Sequence, residues 1–185
     1  MNFEEIYKIT DTISHATAFR EDEARSLFNK LIVLPESSNI LEVGVQYGRS
    51  FSVMLQVGKV KKFNITAIDN FCEENGEDIF NAFTDNVAKC NYEYVLIKKN
   101  SNEAHTDVED NHFDLIHIDA DHTYEGVKLD IINYLPKLKK GGFICFHDYA
   151  RDSLPGVFQA VNELLLNNKF EEISHDYTFK VFRKK

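Results

Sequence analysis

Residues 113–148 read FDLIHIDADHTYEGVKLDIINYLPKLKKGGFICFHD, and the fold is decided here. FDLIHIDA (113–120) is an apolar run of strand length. Over 123–138, Val127, Ile131, Leu135 and Leu138 share one face of a helix that Thr123 is placed to cap. GFICFHD (142–148) is a second strand. A strand, a helix and a strand in succession form a βαβ unit, with parallel strands buried on both faces. Burying unpaired charge is costly. Yet the first strand runs into Asp119, Asp121 and His122, and the second ends in His147 and Asp148. Alternation puts His117 and Asp119 on one strand face and Ile116 and Ile118 on the other. Consecutive strands of such units are usually neighbours, so Asp119, His122, His147 and Asp148 are expected to converge.

The same alternation extends outward in both directions. Helices are expected over 3–14 and 21–33, then a strand at 39–44, a helix at 49–59, a strand at 63–70, a helix at 77–89, a strand at 92–100 and a short helix at 102–107. After the central unit come a helix at 154–167, with Pro155 in its first turn, and two closing strands with a turn at 175–177. The fold class is therefore α/β: a mostly parallel sheet covered on both faces, with an antiparallel pair at one edge. In open sheets of this kind, ligands bind beyond the carboxyl ends of the strands.

The first strand and its turn read LEVGVQYGRS (41–50). Gly44 and Gly48 permit a tight turn and a close backbone approach to a ligand. A dinucleotide loop would have glycine where Gln46 stands, which argues against a nicotinamide enzyme. Asp69, at the end of the second strand, is placed to accept hydrogen bonds from both hydroxyls of a ribose. Asn100 and Ser101 end the third strand. The Asp119, His122, His147 and Asp148 group suits two chemistries that can coexist. One is a divalent cation, with imidazole favouring Mn²⁺, Fe²⁺ or Zn²⁺ over Mg²⁺. The other is proton abstraction by histidine. His117 is expected to be a core histidine, and Asp121 and Asp130 structural or solvated.

The whole-chain numbers narrow the classes further. With 185 residues, net charge −9 and pI about 5.2, the chain lacks the basic surface that nucleic-acid binding needs. Three scattered cysteines without a CxxC indicate reduced thiols and a cytoplasmic location. The start shows no signal-peptide pattern, and no apolar stretch is long enough to span a membrane.

The Glu42, Gly44 and Gly48 pattern resembles the E/D-x-G-x-x-x-G motif of class I S-adenosylmethionine-dependent methyltransferases. The stretch IHIDADHTYEGVKLDIINYLPKLKKGGFICFHDY (116–149) is similar to the macrocin-type O-methyltransferases (the Methyltransferase 24 group), which share D-x-D-H-x-Y-E-G and G-G-x-hHDY signatures. The resemblance runs from about Glu36 to the end, and residues 1–35 match no signature. It implies a Rossmann-like three-layer sandwich with strand order 3-2-1-4-5-7-6, strand seven antiparallel, preceded by extra N-terminal helices. It further implies S-adenosylmethionine bound by Glu42, Gly44, Gly48, Asp69, Asn100, Ser101 and Asp119. Glu42 would reach the methionine amino group through water. Asp119 and an acidic pair after strand five would hold a metal, and His122 would be the base. Here that pair is His147–Asp148, so one carboxylate is replaced by imidazole, and either no metal is held or a different metal is expected. Mg²⁺, Mn²⁺ or another transition metal is a candidate second cofactor.

The expected organisation is a helical extension, 1–35, and a cofactor-binding domain, 36–185. The expected function is transfer of a methyl group to an oxygen of a small polar acceptor such as a sugar, with His122 and Asp119 catalytic. A non-catalytic cofactor-binding or partner-subunit module is the alternative. The N-terminal helices are the candidate surface for a lid or a homo-oligomer.

Overall fold

In the computed structural model, which describes residues 1–13, 19–72, 75–166 and 169–185, the apolar runs form seven strands. They are β1 (Asn39–Val43), β2 (Asn64–Ile68), β3 (Val95–Ile97), β4 (Phe113–Ile118), β5 (Leu138–Phe146), β6 (Phe170–Asp176) and β7 (Phe179–Lys184). The sheet order is β3-β2-β1-β4-β5-β7-β6. The first five strands pair in parallel, and β7 runs antiparallel to both β5 and β6. This is the Rossmann-like order that the motif resemblance implied.

The helices are α1 (Phe3–Thr10), α2 (Glu21–Ile32), α3 (Arg49–Lys61), α4 (Gly76–Ala88), α5 (Ser101–Ala104), α6 (Tyr124–Tyr134) and α7 (Pro155–Leu165). The expected helix ends at 14 and 167 lie outside the described residues. The period of two in each strand divides the core into two layers. Ile40, Leu115, Cys145 and Val181 pack toward α1, α2, α3 and α4. Leu41, Ile116, Ile144 and Phe182 pack toward α6 and α7. Phe3, Ile6, Leu27 and Leu31 join the first layer, so the apolar faces of α1 and α2 are covered by this chain's own core.

The stretch between β4 and β5 differs from expectation. Helix α6 stops at Tyr134, and 135–137 form a 3₁₀ turn containing Pro136. Proline has no N–H to continue the helix, and its ring crowds the carbonyl four residues back. Leu138 therefore opens β5 opposite Phe113 instead of closing the helix. The register then shifts between Phe113 and Leu115, and Gly141 lies nearby at φ +81°. β3 is shorter than expected and pairs with β2 alone. The final turn is at Tyr177 and Thr178, with Asp176 paired to Phe179. No helix among the described residues is long and apolar enough to cross a membrane.

Candidate active site

The carboxyl ends of β1, β2, β4 and β5 open into a cleft of about 570 Å³. Asp69, Asn100 and Ser101 line it from the β2 and β3 ends, and Asp119, His122, His147 and Asp148 from the β4 and β5 ends. The two groups that were separate in sequence therefore face one volume.

On the β1–β3 side, Asp69 is the organiser. Its Oδ2 accepts the N–H groups of Val45 and Gln46, both at 2.8 Å, and its Oδ1 accepts the N–H of Phe71 at 2.7 Å. A carboxylate offers about four acceptor sites. Three are taken, which leaves one on Oδ1. Asn100 caps α5 through the N–H of Asn102, and the Ser101 carbonyl accepts from the Tyr134 hydroxyl at 2.7 Å.

Two expected cofactor residues stand elsewhere. Glu42 is fully buried behind the cleft wall, where Ser50 Oγ donates to its Oε1 and His117 Nδ1 lies 2.9 Å from the same oxygen. The reason is register: Glu42 and His117 are cross-strand partners facing the α1–α4 layer. Gly48, at φ +83°, turns the chain into α3, and a Cβ there would meet Val87 and Phe83. It serves helix packing and does not line the cleft. Gly44 does line it, at φ +86°, but its close approach is to protein: a Cβ would stand 2.1 Å from the Asp119 carbonyl oxygen. The core role expected for His117 matches its full burial.

On the β4–β5 side, charges are held by one another. His122 Nε2 lies 3.3 Å from Asp119 Oδ1 and 3.2 Å from Asp148 Oδ2. Asp119 and then Asp148 raise the His122 pKa, burial opposing. His147 Nδ1 lies 3.3 Å from Asp119 Oδ2 and 3.5 Å from Asp148 Oδ2. These are ion-pair distances without hydrogen-bond alignment, and neither ring nitrogen of His147 has an aligned partner. Burial works against the charge on Asp119, but His147 and His122 outweigh it and lower its pKa. Burial likewise opposes the lowered pKa of Asp148, which His147 and Arg151 produce; Arg151 Nη1 donates to Asp148 Oδ1 at 2.8 Å. Asp148 sits at φ +55°, a strained value that places its carboxylate back toward β4. Donor atoms of Asp119, His122 and Asp148 all lie within 4.8 Å of one another, a spacing that suits a cation. The expected ligand set held His147 in place of His122.

Three further residues reach the site without having been marked in the sequence. Arg151 follows the HDY motif closely enough to have been considered. Arg49 lines the cleft and ties down the N-terminal segment, donating to the Phe19 carbonyl at 2.8 Å and to Tyr7 and Asp11 at 3.2 Å. Glu23 of α2 is fully buried, with Oε1 3.3 Å from His147 Nε2. No local pattern signals that contact.

A family model described as a methyltransferase domain matches residues 41–149, which include Gly44, Asp69, Asp119 and His147. The chain belongs to this methyltransferase family. Its relatives include the uncharacterized protein y4gI of Sinorhizobium fredii, 33% identical over 137 residues, covering 68% of this chain and 15% of that protein. An uncharacterized protein of Acanthamoeba polyphaga mimivirus is 34% identical over 148 residues, covering 76% and 65%. This methyltransferase-family chain thus spans less than two thirds of either relative. Among solved structures, an S-adenosylhomocysteine-bound methyltransferase of Podospora anserina superposes with TM-score 0.71 at 16% identity, over 99% of this chain and 87% of that one. CalS11, a TDP-rhamnose 3′-O-methyltransferase of calicheamicin biosynthesis, superposes with TM-score 0.61 at 17% identity, over 98% and 92%. Those two likenesses are of fold.

Proposed function

We propose that the cleft binds S-adenosylmethionine and that the protein methylates a hydroxyl oxygen of a small polar acceptor, with a sugar as the leading class. The cofactor supplies a methyl group already activated on sulfur. What the chain must add is in-line positioning and removal of the acceptor proton. Asp69 takes one ribose hydroxyl on the free site of Oδ1. Asn100 and Ser101 flank the adenine, and Gly44 brings the β1 loop against the β4 end. His122 Nε2 takes the acceptor proton, and its two carboxylate neighbours strengthen it as a base. Asp119 also walls the methionine end.

The residues fit a divalent cation. His147 Nδ1 is buried, lacks an aligned partner and faces two carboxylate oxygens. Asp119, His147 and Asp148 would hold the ion, which would lower the pKa of the acceptor hydroxyl. Residues 1–35 act as an extension that shares the core of the 36–185 cofactor domain.

The observation carrying this reading is that Asp119, His122 and Asp148 open into the same cleft as Asp69. The sugar preference draws support from the CalS11 likeness. Calorimetry with S-adenosylmethionine and S-adenosylhomocysteine tests it, with micromolar binding expected. Folded protein that binds neither would end the proposal.

A further inference from the structure

Asp130 is 1% exposed, which excludes the solvated role expected of it. Among the described residues, neither of its carboxylate oxygens has an aligned hydrogen-bond partner. Burial raises its pKa to about 6; Ser101 pulls the other way, and the Asp121 charge adds to the rise. The ionised group therefore costs stability at neutral pH. A scaffold role does not explain a buried carboxylate that weakens the fold. A group so perturbed beside a cleft points to function.

Its place on α6 shows what it can act on. Gly126, Asp130 and Tyr134 are spaced by four and form one stripe of the helix. Gly126 lines the cleft, and the Asp121 carboxylate stands where a Cβ on it would be. At the other end of the stripe, the Tyr134 hydroxyl donates to the Ser101 carbonyl at 2.7 Å. Asp130 lies between the two, with the Ser101 side chain as its polar neighbour. Ser101 opens α5 and lines the cleft with Asn100 and Asn102. Tyr134 thus holds the Ser101 main chain, and Asp130 faces its hydroxyl.

A serine hydroxyl has one hydrogen and two lone pairs, whereas an ionised carboxylate only accepts. Beside Asp130 the hydrogen belongs to the carboxylate, so Ser101 Oγ has only lone pairs to show a ligand. Lone pairs accept from an amino group and repel a carbonyl oxygen.

We propose that Asp130 is a positioning residue that takes up the Ser101 O–H and leaves Ser101 Oγ as an acceptor, so that the cleft selects the 6-amino group of adenine over a 6-oxo purine. The inference rests on the S-adenosylmethionine reading of the cleft. It gives the buried carboxylate a task at the nucleoside end, remote from proton transfer.

The test is calorimetry of the full chain at pH 8 with S-adenosylhomocysteine and with S-inosylhomocysteine, in which a 6-oxo group and an N1 hydrogen replace the 6-amino group. Wild type should prefer the adenine compound about 10–100-fold. In Asp130→Ala the Ser101 hydroxyl is free to turn and donate to the 6-oxo group, and the preference should fall to a few-fold. Asp130→Leu keeps the branched shape without an acceptor. It should behave alike, and it decides the matter if Asp130→Ala does not fold. Ser101→Ala should lose as much preference, and the double variant no more, because the two residues act as one unit. A purely structural role would change stability and leave the preference intact. Wild-type preference in the Asp130 variants overturns the proposal. So does a wild type that binds both compounds equally, or a double variant whose loss is the product of the single losses. In each of those cases S-adenosylhomocysteine still binds, so the methyltransferase reading stands. Folded wild type that binds neither compound sinks that reading and this inference with it.

Discussion

The two sides of the cleft use carboxylates in opposite ways. On the β1–β3 side, Asp69 is satisfied by three backbone N–H groups and holds a loop in place. On the β4–β5 side, Asp119 and Asp148 face His122 and His147 at 3.2–3.5 Å, and His147 lacks an aligned hydrogen bond. The first arrangement is complete before a ligand arrives and suits recognition of a constant group. The second keeps charge and lone pairs directed at one small volume, which suits moving a proton or holding an ion. Substitutions should therefore separate binding from chemistry.

The largest effect is expected at His122. His122→Ala should lower methyl transfer about 10²–10⁴-fold, followed as S-adenosylhomocysteine release with a turning-over sugar or nucleotide-sugar acceptor. Cofactor and Mn²⁺ affinity should hardly move. If Mn²⁺ binding is lost as well, His122 belongs among the ligands and the division between the two sides must be redrawn.

Next comes the seam between them. At Gly44 both the positive φ and the 2.1 Å approach to the Asp119 carbonyl forbid a side chain. Gly44→Ala should cost about 3 kcal/mol or more in urea denaturation. A near-neutral result would show that the loop can shift away from β4 without penalty. A smaller effect, on binding, is expected at Asp69. Asp69→Asn puts donors where backbone N–H groups already point, and should weaken S-adenosylhomocysteine about 10–100-fold by calorimetry. Should binding survive unchanged, the constant-group side is misassigned.

The smallest effect concerns Asp130, which is buried on α6 beneath Ser101. Burial pushes its pKa up to about 6, with Ser101 pulling the other way. A carboxyl whose folded pKa is raised contributes stability that is complete below its ordinary value near 4. That stability is lost as pH rises through about 6. Asp130→Asn should therefore gain about 1–2 kcal/mol at pH 8 and nothing near pH 4. Equal gains at both pH values would show that ionisation is not the cause.

Much of this was legible from spacing. The run 113–148 announced a βαβ unit, Thr123 did cap α6, and alternation put His117 and Asp119 on one strand face. That same alternation brings Glu42 beside His117 across β1 and β4, both fully buried, while Asp119 and His147, just beyond the strand ends, line the cleft. Boundaries were less legible where proline intervened, as at Pro136. Gly44 lines the cleft, but what bars a side chain there is the Asp119 backbone, and at Gly48 it is Val87 and Phe83 of α4. Sequence shows that a side chain is small, not what passes beside it.

The amino-acid sequence by itself determined the order of strands and helices, the faces they bury and the cluster at the β4 and β5 mouths. All of these follow from periodicity and from chain neighbours. Only the tertiary structure decided that Asp69 has one free acceptor site, that Glu42 is sealed behind the wall and that Glu23 stands behind His147. Those outcomes depend on which distant backbone amides and helices come to rest against a side chain. Such contacts leave no mark in local spacing, because burial against a sheet is a property of the assembled layers.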